Sequence, residues 1–308
     1  MAIATGSTTK LYYAKESVFG EAPATGFQPL RFNSTSLALT STSIQSGELR
    51  GDRQISDFRN VTGQVTGNVV SELSMNAFDD LIAAALCSGW MGNGNKEIRA
   101  GVQSPSFTIV RYTEGVTNPY AVFTGCQVNS MTLDMKASSF VTITFDFLGK
   151  DMQVAAAAPG TLPTAGFTAQ PMDALRGAFT ADGNANYAVT EFQLVLENGI
   201  APRYPLFNSR TIEQEIGLSN LTGSCSIYLT DNSIANRYTS NTQSAFVFQV
   251  TAPNGTDNYT ISLPKVMYSA ASTEVSGPES LMLSASFQAV YDDAAKSQVV
   301  ITRSKLPS

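Results

Sequence analysis

Apolar and polar residues alternate with a period of two along most of the chain, and this pattern predicts β-strands. In residues 141–147 the odd positions are Val, Ile, Phe and Phe, and the even positions are Thr, Thr and Asp. Residues 281–289 alternate in the same way. Further strands are predicted over 37–40, 65–73, 107–112, 131–136, 192–196, 225–230, 246–251 and 259–263. The predicted fold class is therefore mainly β.

One segment, from about Asn76 to Leu86, has instead the spacing of an amphipathic helix. Its apolar face consists of Phe78, Leu81, Ile82 and Leu86. Asn76 is the expected N-cap, and Asp79 and Asp80 suit the positive N-terminal end of a helix. Such a helix is expected to cover one end or side of a sheet. A weaker helix is predicted over 231–238.

Two stretches, 61–147 and 221–289, present the same order of elements, which indicates an internal duplication. Each begins with a Thr-Gly strand and a helix, and continues with an aromatic strand, a Tyr-led strand and a long alternating strand. The predicted domains are residues 1–150 and residues 187–308. Residues 151–186 between them are rich in Ala, Pro and Gly and lack periodicity, which favours a linker or a surface loop.

The composition narrows the possible functions. The chain carries 19 Lys and Arg against 25 Asp and Glu, which gives a formal charge of −6, and it has no histidine. These counts exclude His-based catalysis and His-rich metal sites, and they disfavour a grip on the phosphate backbone of nucleic acid. Only 14% of the residues are charged, so Ser and Thr supply much of the polarity. This composition is typical of β proteins that assemble into something larger.

No catalytic motif is recognisable in the chain. It has no nucleophile elbow, no zinc-protease helix and no phosphate-binding P-loop. Cys87, Cys126 and Cys225 lack the spacing of a disulfide framework or a zinc knuckle. We expect a protein that is not an enzyme and needs no cofactor or metal. We see neither a secretory signal nor an apolar run long enough to span a membrane, and therefore expect a soluble protein made in the cytoplasm.

Residues 48–59 are the one charged neighbourhood of the chain, with bases and acids mixed. Its charged residues are Glu48, Arg50, Asp52, Arg53, Asp57 and Arg59. One interpretation is a hydrated surface loop. The other is an ordering loop that exchanges ion pairs with a neighbouring subunit, since alternating charge signs fix register and reject wrong partners.

Several segments, in a fairly specific order, resemble siphophage major tail tube proteins. The first half has Val18-Phe19-Gly20-Glu21-Ala22-Pro23-Ala24, the charged loop, a Val-x-Gly strand at Val65-Thr66-Gly67 and a short helix ending near Gly89-Trp90. The second half has Leu196-Glu197-Asn198-Gly199, Leu221-Thr222-Gly223-Ser224 and Leu263-Pro264-Lys265-Val266. The sequence departs from the pattern at 203–216, a second ordering loop that is less charged than the first.

The resemblance implies tandem tail-tube-type β-sandwich/barrel repeats, each with a short flanking α-helix. The implied function is a structural virion protein that self-assembles into stacked rings and forms the hollow tube through which DNA reaches the host. Two repeats per chain favour a trimeric, pseudo-hexameric ring, and a hexamer is the alternative. A different β-rich virion or surface protein, such as an adhesin, is the alternative function.

The family also implies partners and a lumen. The implied partners are further copies of the chain, a tape measure protein, a tail terminator and a distal tail protein. The implied location of the protein is the virion tail. DNA is expected to pass through the lumen without specific binding, because three chains carry about −18 (three times −6). The candidate acidic lumen residues are Glu72, Asp134 and Asp146.

Overall fold

The computed structural model describes residues 4–92, 96–164, 166–185, 187–275, 277–278 and 280–304. The first half contains β1 (Lys10–Lys15), β2 (Gln28–Leu30), β3 (Ser34–Thr35), β4 (Ala38–Gln45), β5 (Phe58–Glu72), α1 (Asp79–Ala85), β6 (Glu97–Arg99), β7 (Phe107–Tyr112), β8 (Tyr120–Lys136), β9 (Thr142–Gly149) and β10 (Asp151–Ala155). The second half contains β11 (Gly177–Ala181), β12 (Val189–Glu197), β13 (Ala201–Arg203), β14 (Glu213–Glu215), β15 (Asn220–Tyr228), α2 (Ser233–Thr239), β16 (Ser244–Thr251), β17 (Asn258–Glu274), β18 (Met282–Ala289) and β19 (Val300–Arg303). The mainly β class is confirmed.

Eight of these strands form one continuous antiparallel layer, which we call the inner sheet. Its order is β4-β5-β9-β8-β12-β15-β18-β17. The first four strands come from the first half of the chain and the last four from the second. The pair β8–β12 joins the two halves through the register Glu191↔Lys136 to Glu197↔Ser130.

Most of the remaining strands lie against the inner sheet as an outer layer, whereas β3 pairs with β5 and the β13–β14 pair stands apart. The N-terminal part of β8 leaves the inner sheet and pairs there with β7 and β10, and β7 pairs in turn with β1. The N-terminal part of β17 pairs likewise with β16 and β19. One hydrophobic cluster fills the space between the layers and runs through both halves. The two long strands therefore act as corners that carry the chain from one layer to the other.

The strand pairings of the second half match those of the first. The pairs β5–β9, β9–β8, β8–β7 and β7–β1 have the counterparts β15–β18, β18–β17, β17–β16 and β16–β11. Strands β8 and β17 both contain 17 residues. Each has a β-bulge at the corresponding place, between Val128 and Ser130 in β8 and between Tyr268 and Ala270 in β17. A bulge displaces the register of a strand pair by one residue. Since both bulges lie at the same place, Val128 corresponds to Tyr268, and the residues of β8 can be matched one by one with those of β17.

Two glycines occupy matching positions in this alignment. Gly67 faces Phe147 across β5–β9, and Gly223 faces Phe287 across β15–β18. A Cβ on Gly67 would lie 2.6 Å from the Ser36 backbone, and a Cβ on Gly223 would lie 2.3 Å from the Phe287 ring. A side chain fits at neither place, so these positions require glycine. The two Thr-Gly strands found in the sequence thus have equivalent surroundings.

Residues 151–186, predicted as a linker or a surface loop, contain two strands. β10 (Asp151–Ala155) pairs with β8 of the first half, and β11 (Gly177–Ala181) pairs with β16 of the second. Between them, Met172 is fully buried, and its backbone amide donates to the Leu73 carbonyl. The connection from one half to the other is therefore packed onto the sheets along part of its length.

Helix α1 differs from the prediction at its beginning. It spans Asp79–Ala85, and Asn76 has a left-handed φ of 60° instead of the extended conformation of an N-cap. No side chain caps this helix, and its acidic residue Asp79 is buried. The predicted apolar face is correct, since Phe78 and Leu81 are fully buried. Helix α2 lies within one or two residues of the predicted 231–238.

Asp79 belongs to a buried polar cluster that joins the two halves. Its carboxylate forms an ion pair with Arg303 of β19 and accepts a hydrogen bond of 2.5 Å from the Tyr259 hydroxyl of β17. The Arg303 guanidinium stacks over the Trp90 ring at 4.0 Å, and the Trp90 indole donates to the Asp79 carbonyl. Burial raises the pKa of Asp79 above its ordinary value, and the hydrogen bond from Tyr259 and the charge of Arg303 oppose this shift.

We predict that Asp79→Asn lowers the free energy of unfolding by about 3–5 kcal/mol, because it removes the carboxylate charge that faces the buried Arg303 guanidinium. The matched control is Asp80→Asn, because Asp80 is exposed and its loss should change stability by about 0.5 kcal/mol or less. Chemical denaturation followed by circular dichroism measures both variants. Equal midpoints and slopes for the two variants would show that the cluster does not stabilise the fold.

A polar sheet face and two free edges as the candidate functional site

One face of the inner sheet packs on the core, and the other carries polar residues. The second face, which we call the polar face, consists of the even-numbered residues of 36–40, 66–72, 130–136, 142–146, 222–226, 270–272 and 284–288 and the odd-numbered residues of 191–197. Strand β9 shows the alternation, since Phe145 and Phe147 are buried while Thr144 and Asp146 are not. No residue of the polar face is buried.

The polar face is rich in hydroxyl and amide groups and carries an excess of negative charge. The three acidic residues predicted from the sequence, Glu72, Asp134 and Asp146, all lie on it. It carries two further carboxylates, Glu191 and Glu197 of β12, which the sequence interpretation missed. The alternation around the predicted strand 192–196 would have indicated both. The lysine of this face is Lys136, whose amine lies 3.6 Å from the Glu191 carboxylate.

Hydrogen bonds from neighbouring side chains orient the three carboxylates that were predicted from the sequence. Asp146 accepts a hydrogen bond of 2.7 Å from the Ser130 hydroxyl, and Asp134 accepts one of 2.8 Å from the Gln193 amide across the β8–β12 pair. The Glu72 carboxylate accepts from the Asn33 amide at 3.3 Å. Three of the five carboxylates of the polar face are thus hydrogen-bonded to side chains beside them.

The inner sheet ends in two edges that pair with nothing in the described part of the chain. Strand β4, at one end, pairs with β5 on one side. At the other end, residues 267–274 of β17 pair with β18 on one side. An unpaired edge presents a row of N–H and C=O groups that can pair with another strand. Both ends of the sheet are therefore open to the addition of a neighbour.

The predicted ordering loop lies at the tip of a hairpin that extends beyond the inner sheet. This first arm, residues 41–62, contains the end of β4 and the beginning of β5. Within it Arg50 lies 3.5 Å from Asp52, and Arg59 lies 2.7 Å from Asp57, in exposed ion pairs. Glu48 and Arg53 are exposed as well. All six predicted residues are thus found together, and the sequence did not single out the exposed apolar side chains beside them, Ile44, Leu49, Ile55 and Phe58.

A second arm, residues 198–219, occupies the corresponding place in the second half. It contains the β13–β14 hairpin, which Arg203 and Glu215 connect by an ion pair of 2.5 Å. Its tip exposes Leu206 and Phe207 to solvent. Next to its tip the second arm contacts β5 at the base of the first arm, because the Gly63 amide donates to the Ser209 carbonyl at 2.9 Å. The two arms are therefore neighbours in the structure.

The described residues offer no arrangement typical of a metal site. No group of three or more Cys, Asp and Glu side chains among them is placed to hold a metal ion. Cys87, Cys126 and Cys225 are free and buried, and burial raises the pKa of each thiol, that of Cys225 to about 11. Neither described helix has the length and apolar character needed to cross a membrane.

A comparison with known families identifies the class of protein to which this geometry belongs. A family model described as a phage tail tube protein matches residues 6–289, a span that includes the polar face, both free edges and both arms. The chain belongs to this family and is a structural component of the phage virion tail, as the resemblance in its sequence predicted. No curated protein matches the chain.

Proposed function

We propose that this protein closes into rings, that the rings stack into the hollow tube of a long non-contractile tail, and that DNA passes through the tube into the host. The observation that carries the proposal is the inner sheet, which has a core-packed face, a polar face and an open edge at each end. Joining the two edges between successive copies would remove every open edge of this sheet. A closed ring with the polar face inwards is the arrangement that satisfies all three features.

The two halves of the chain, which we propose to be copies of one unit, set the number of chains in the ring. Each half supplies four strands to the inner sheet, so each chain supplies eight. We propose three chains per ring, which gives six units and twenty-four strands (three times eight). A ring of six chains is the alternative, and the mass of an isolated ring distinguishes the two.

The polar face suits the wall of a DNA conduit. Its five carboxylates outnumber its one lysine, and its hydroxyl groups are hydrated without carrying charge. Like charge repels the phosphate backbone, and clustered Lys and Arg, which would retain it, are missing from this face. Glu72, Asp134 and Asp146 are therefore proposed as lumen residues that keep DNA from adhering.

The two arms are proposed to make the contacts between stacked rings. A head-to-tail contact uses two different surfaces and generates an open filament, as a tube requires. The arms combine exposed apolar side chains with charges of both signs, and both properties favour a specific protein contact. A tape measure protein in the lumen, a tail terminator at one end and a distal tail protein at the other would complete the tail.

Replacing Arg50 and Arg53 by Glu is expected to leave the monomer folded and to block polymerisation. The first arm would then present negative charge where the proposed contact with the next ring requires positive charge. Negative-stain microscopy of wild-type protein should show hollow rods, and the variant should show none while retaining the wild-type circular dichroism spectrum. The matched control is Lys10→Glu with Lys15→Glu, which makes the same charge change at exposed positions of β1 and should still form rods. Normal rods from the arm variant would remove the arm from assembly.

Replacing Asp134 and Asp146 by Lys is expected to turn the lumen into a surface that retains DNA. Each substitution adds +2, so each chain gains +4 and a ring of three chains gains +12. The charge of the ring then changes from −18 to −6. Rods of this variant should bind a short fluorescent DNA duplex about tenfold or more tighter than wild-type rods at low salt, with affinity that falls as salt rises.

The control for the lumen variant is Glu114→Lys with Asp293→Lys, which makes the same charge change at exposed positions outside the polar face. If the control rods bind the duplex as tightly as the lumen variant, net charge rather than the polar face governs the interaction.

A further inference from the structure

We infer that the ring closes through a strand pair between β17 of one chain and β4 of a second copy, in a register that places Ser272 opposite Ala38 and Ala271 opposite Leu39. This inference rests on the proposed function, and it names the partner strand and the register that the ring would use. Its source is a strand pair inside the chain, β8–β12, which already joins a first half to a second half.

The β8–β12 pair provides the template. Thr132 lies opposite Val195, and Met131 lies opposite Leu196. At the two ends of the pair, the Ala137 amide donates to the Thr190 carbonyl at 2.9 Å, and the Asn198 amide donates to the Asn129 carbonyl at 2.8 Å. In an antiparallel strand pair, hydrogen-bonded and non-hydrogen-bonded residue pairs alternate. The two bonds at the ends therefore define the kind of every residue pair between β8 and β12. Thr132 and Val195 form a pair of the non-hydrogen-bonded kind.

Because the registers of the two halves match, the residues of the template pair can be matched with residues of the two free edges. In β8 and β17 the bulges align Val128 with Tyr268, so Thr132 corresponds to Ser272 and Met131 to Ala271. For the other edge, the glycines align Gly67 with Gly223. Since Thr66 pairs with Ala38 and Thr222 pairs with Val195, Ala38 corresponds to Val195.

Burial shows that the free edges lack the neighbour that the template has. Met131 and Leu196 are buried in the β8–β12 pair. Their counterparts Ala271 and Leu39 remain partly exposed, on the side of the sheet that faces the core. Thr273 is exposed, whereas its counterpart Leu133 is buried. Addition of a second copy would cover these positions as the template covers its own.

The chemistry of the two edges permits this register. On the polar face the edge of β4 carries Ser36, Ala38 and Thr40, and the edge of β17 carries Ala270 and Ser272. None of these side chains is charged or bulky, so no like charges oppose each other in the seam. On the core side the larger Leu39 would lie opposite the small Ala271, so the pair has room to close.

A disulfide between introduced cysteines tests the register. Side chains of a non-hydrogen-bonded antiparallel pair lie close enough for a disulfide, whereas positions two residues out of register exceed its reach. The test variant is Ala38→Cys with Ser272→Cys, oxidised during assembly and separated on a non-reducing gel. The native cysteines are buried with raised pKa values, so they contribute little background. A second pair in the same register, Thr40→Cys with Ala270→Cys, is used if the first variant does not assemble.

Two controls accompany this variant. Ala38→Cys with Ala270→Cys is out of register by two residues on the same face and should cross-link about tenfold more slowly or less. Thr132→Cys with Val195→Cys introduces the template pair, which should form a disulfide within one chain and leave the protein monomeric on the gel.

The expected result is cross-linking between chains that stops at a covalent trimer, together with dimers alone when the two single-cysteine variants are mixed. Faster reaction of the out-of-register pair, or dimers from Ala38→Cys by itself, would overturn the inferred register. If rods form but neither in-register pair cross-links, the register is wrong and the proposed tube stands.

If wild-type protein forms neither rings nor rods, the proposed function itself fails. A covalent ladder that stops at six chains would keep the register and overturn the three-chain ring.

Discussion

The antiparallel pair between β8 and β12 is the interaction on which the rest of the structure depends. Backbone N–H and C=O groups must be paired when they leave water, and this pair satisfies them where the two halves meet. It turns two four-stranded layers into one inner sheet with a common core behind it. The Asp79–Arg303 ion pair, the hydrogen bond from Tyr259 to Asp79 and the β6–β19 pairing are further contacts between the two halves. Without the pair, each half would expose a further sheet edge.

Much of this architecture could be predicted from the sequence, because strand alternation is a local property. The alternation in 141–147 placed Phe145 towards the core and Asp146 on the opposite face, and the structure agrees. The order of elements in the two halves also followed from local patterns. The same reasoning extended to the flanks of 192–196 would have added Glu191 and Glu197 to the polar face.

The parts that could not be predicted depend on contacts between residues far apart in sequence. Asp79 had the position of a helix-dipole residue, but Arg303, more than two hundred residues away, draws it into a buried ion pair. Asn76 had the side chain of an N-cap, but its left-handed backbone donates its amide to Tyr259 of the second half. The two strands within 151–186 were not recognised in the sequence, and each pairs with a strand far from it in the chain or outside the segment, β10 with β8 and β11 with β16.

The joining of two similar halves in a single chain has a consequence for the fidelity of the proposed ring. If each half were a separate protein, a ring could gain or lose one unit, and every contact would bend slightly to accommodate the change. Because β12 of the second half pairs with β8 of the first half within one chain, the proposed ring would gain units only in twos, and an erroneous ring would differ from the correct one by two units. The change of curvature required at each contact is then roughly doubled, and packed sheets resist such deformation. In the proposed assembly, the joining of the halves in one chain would thus disfavour tubes of the wrong diameter.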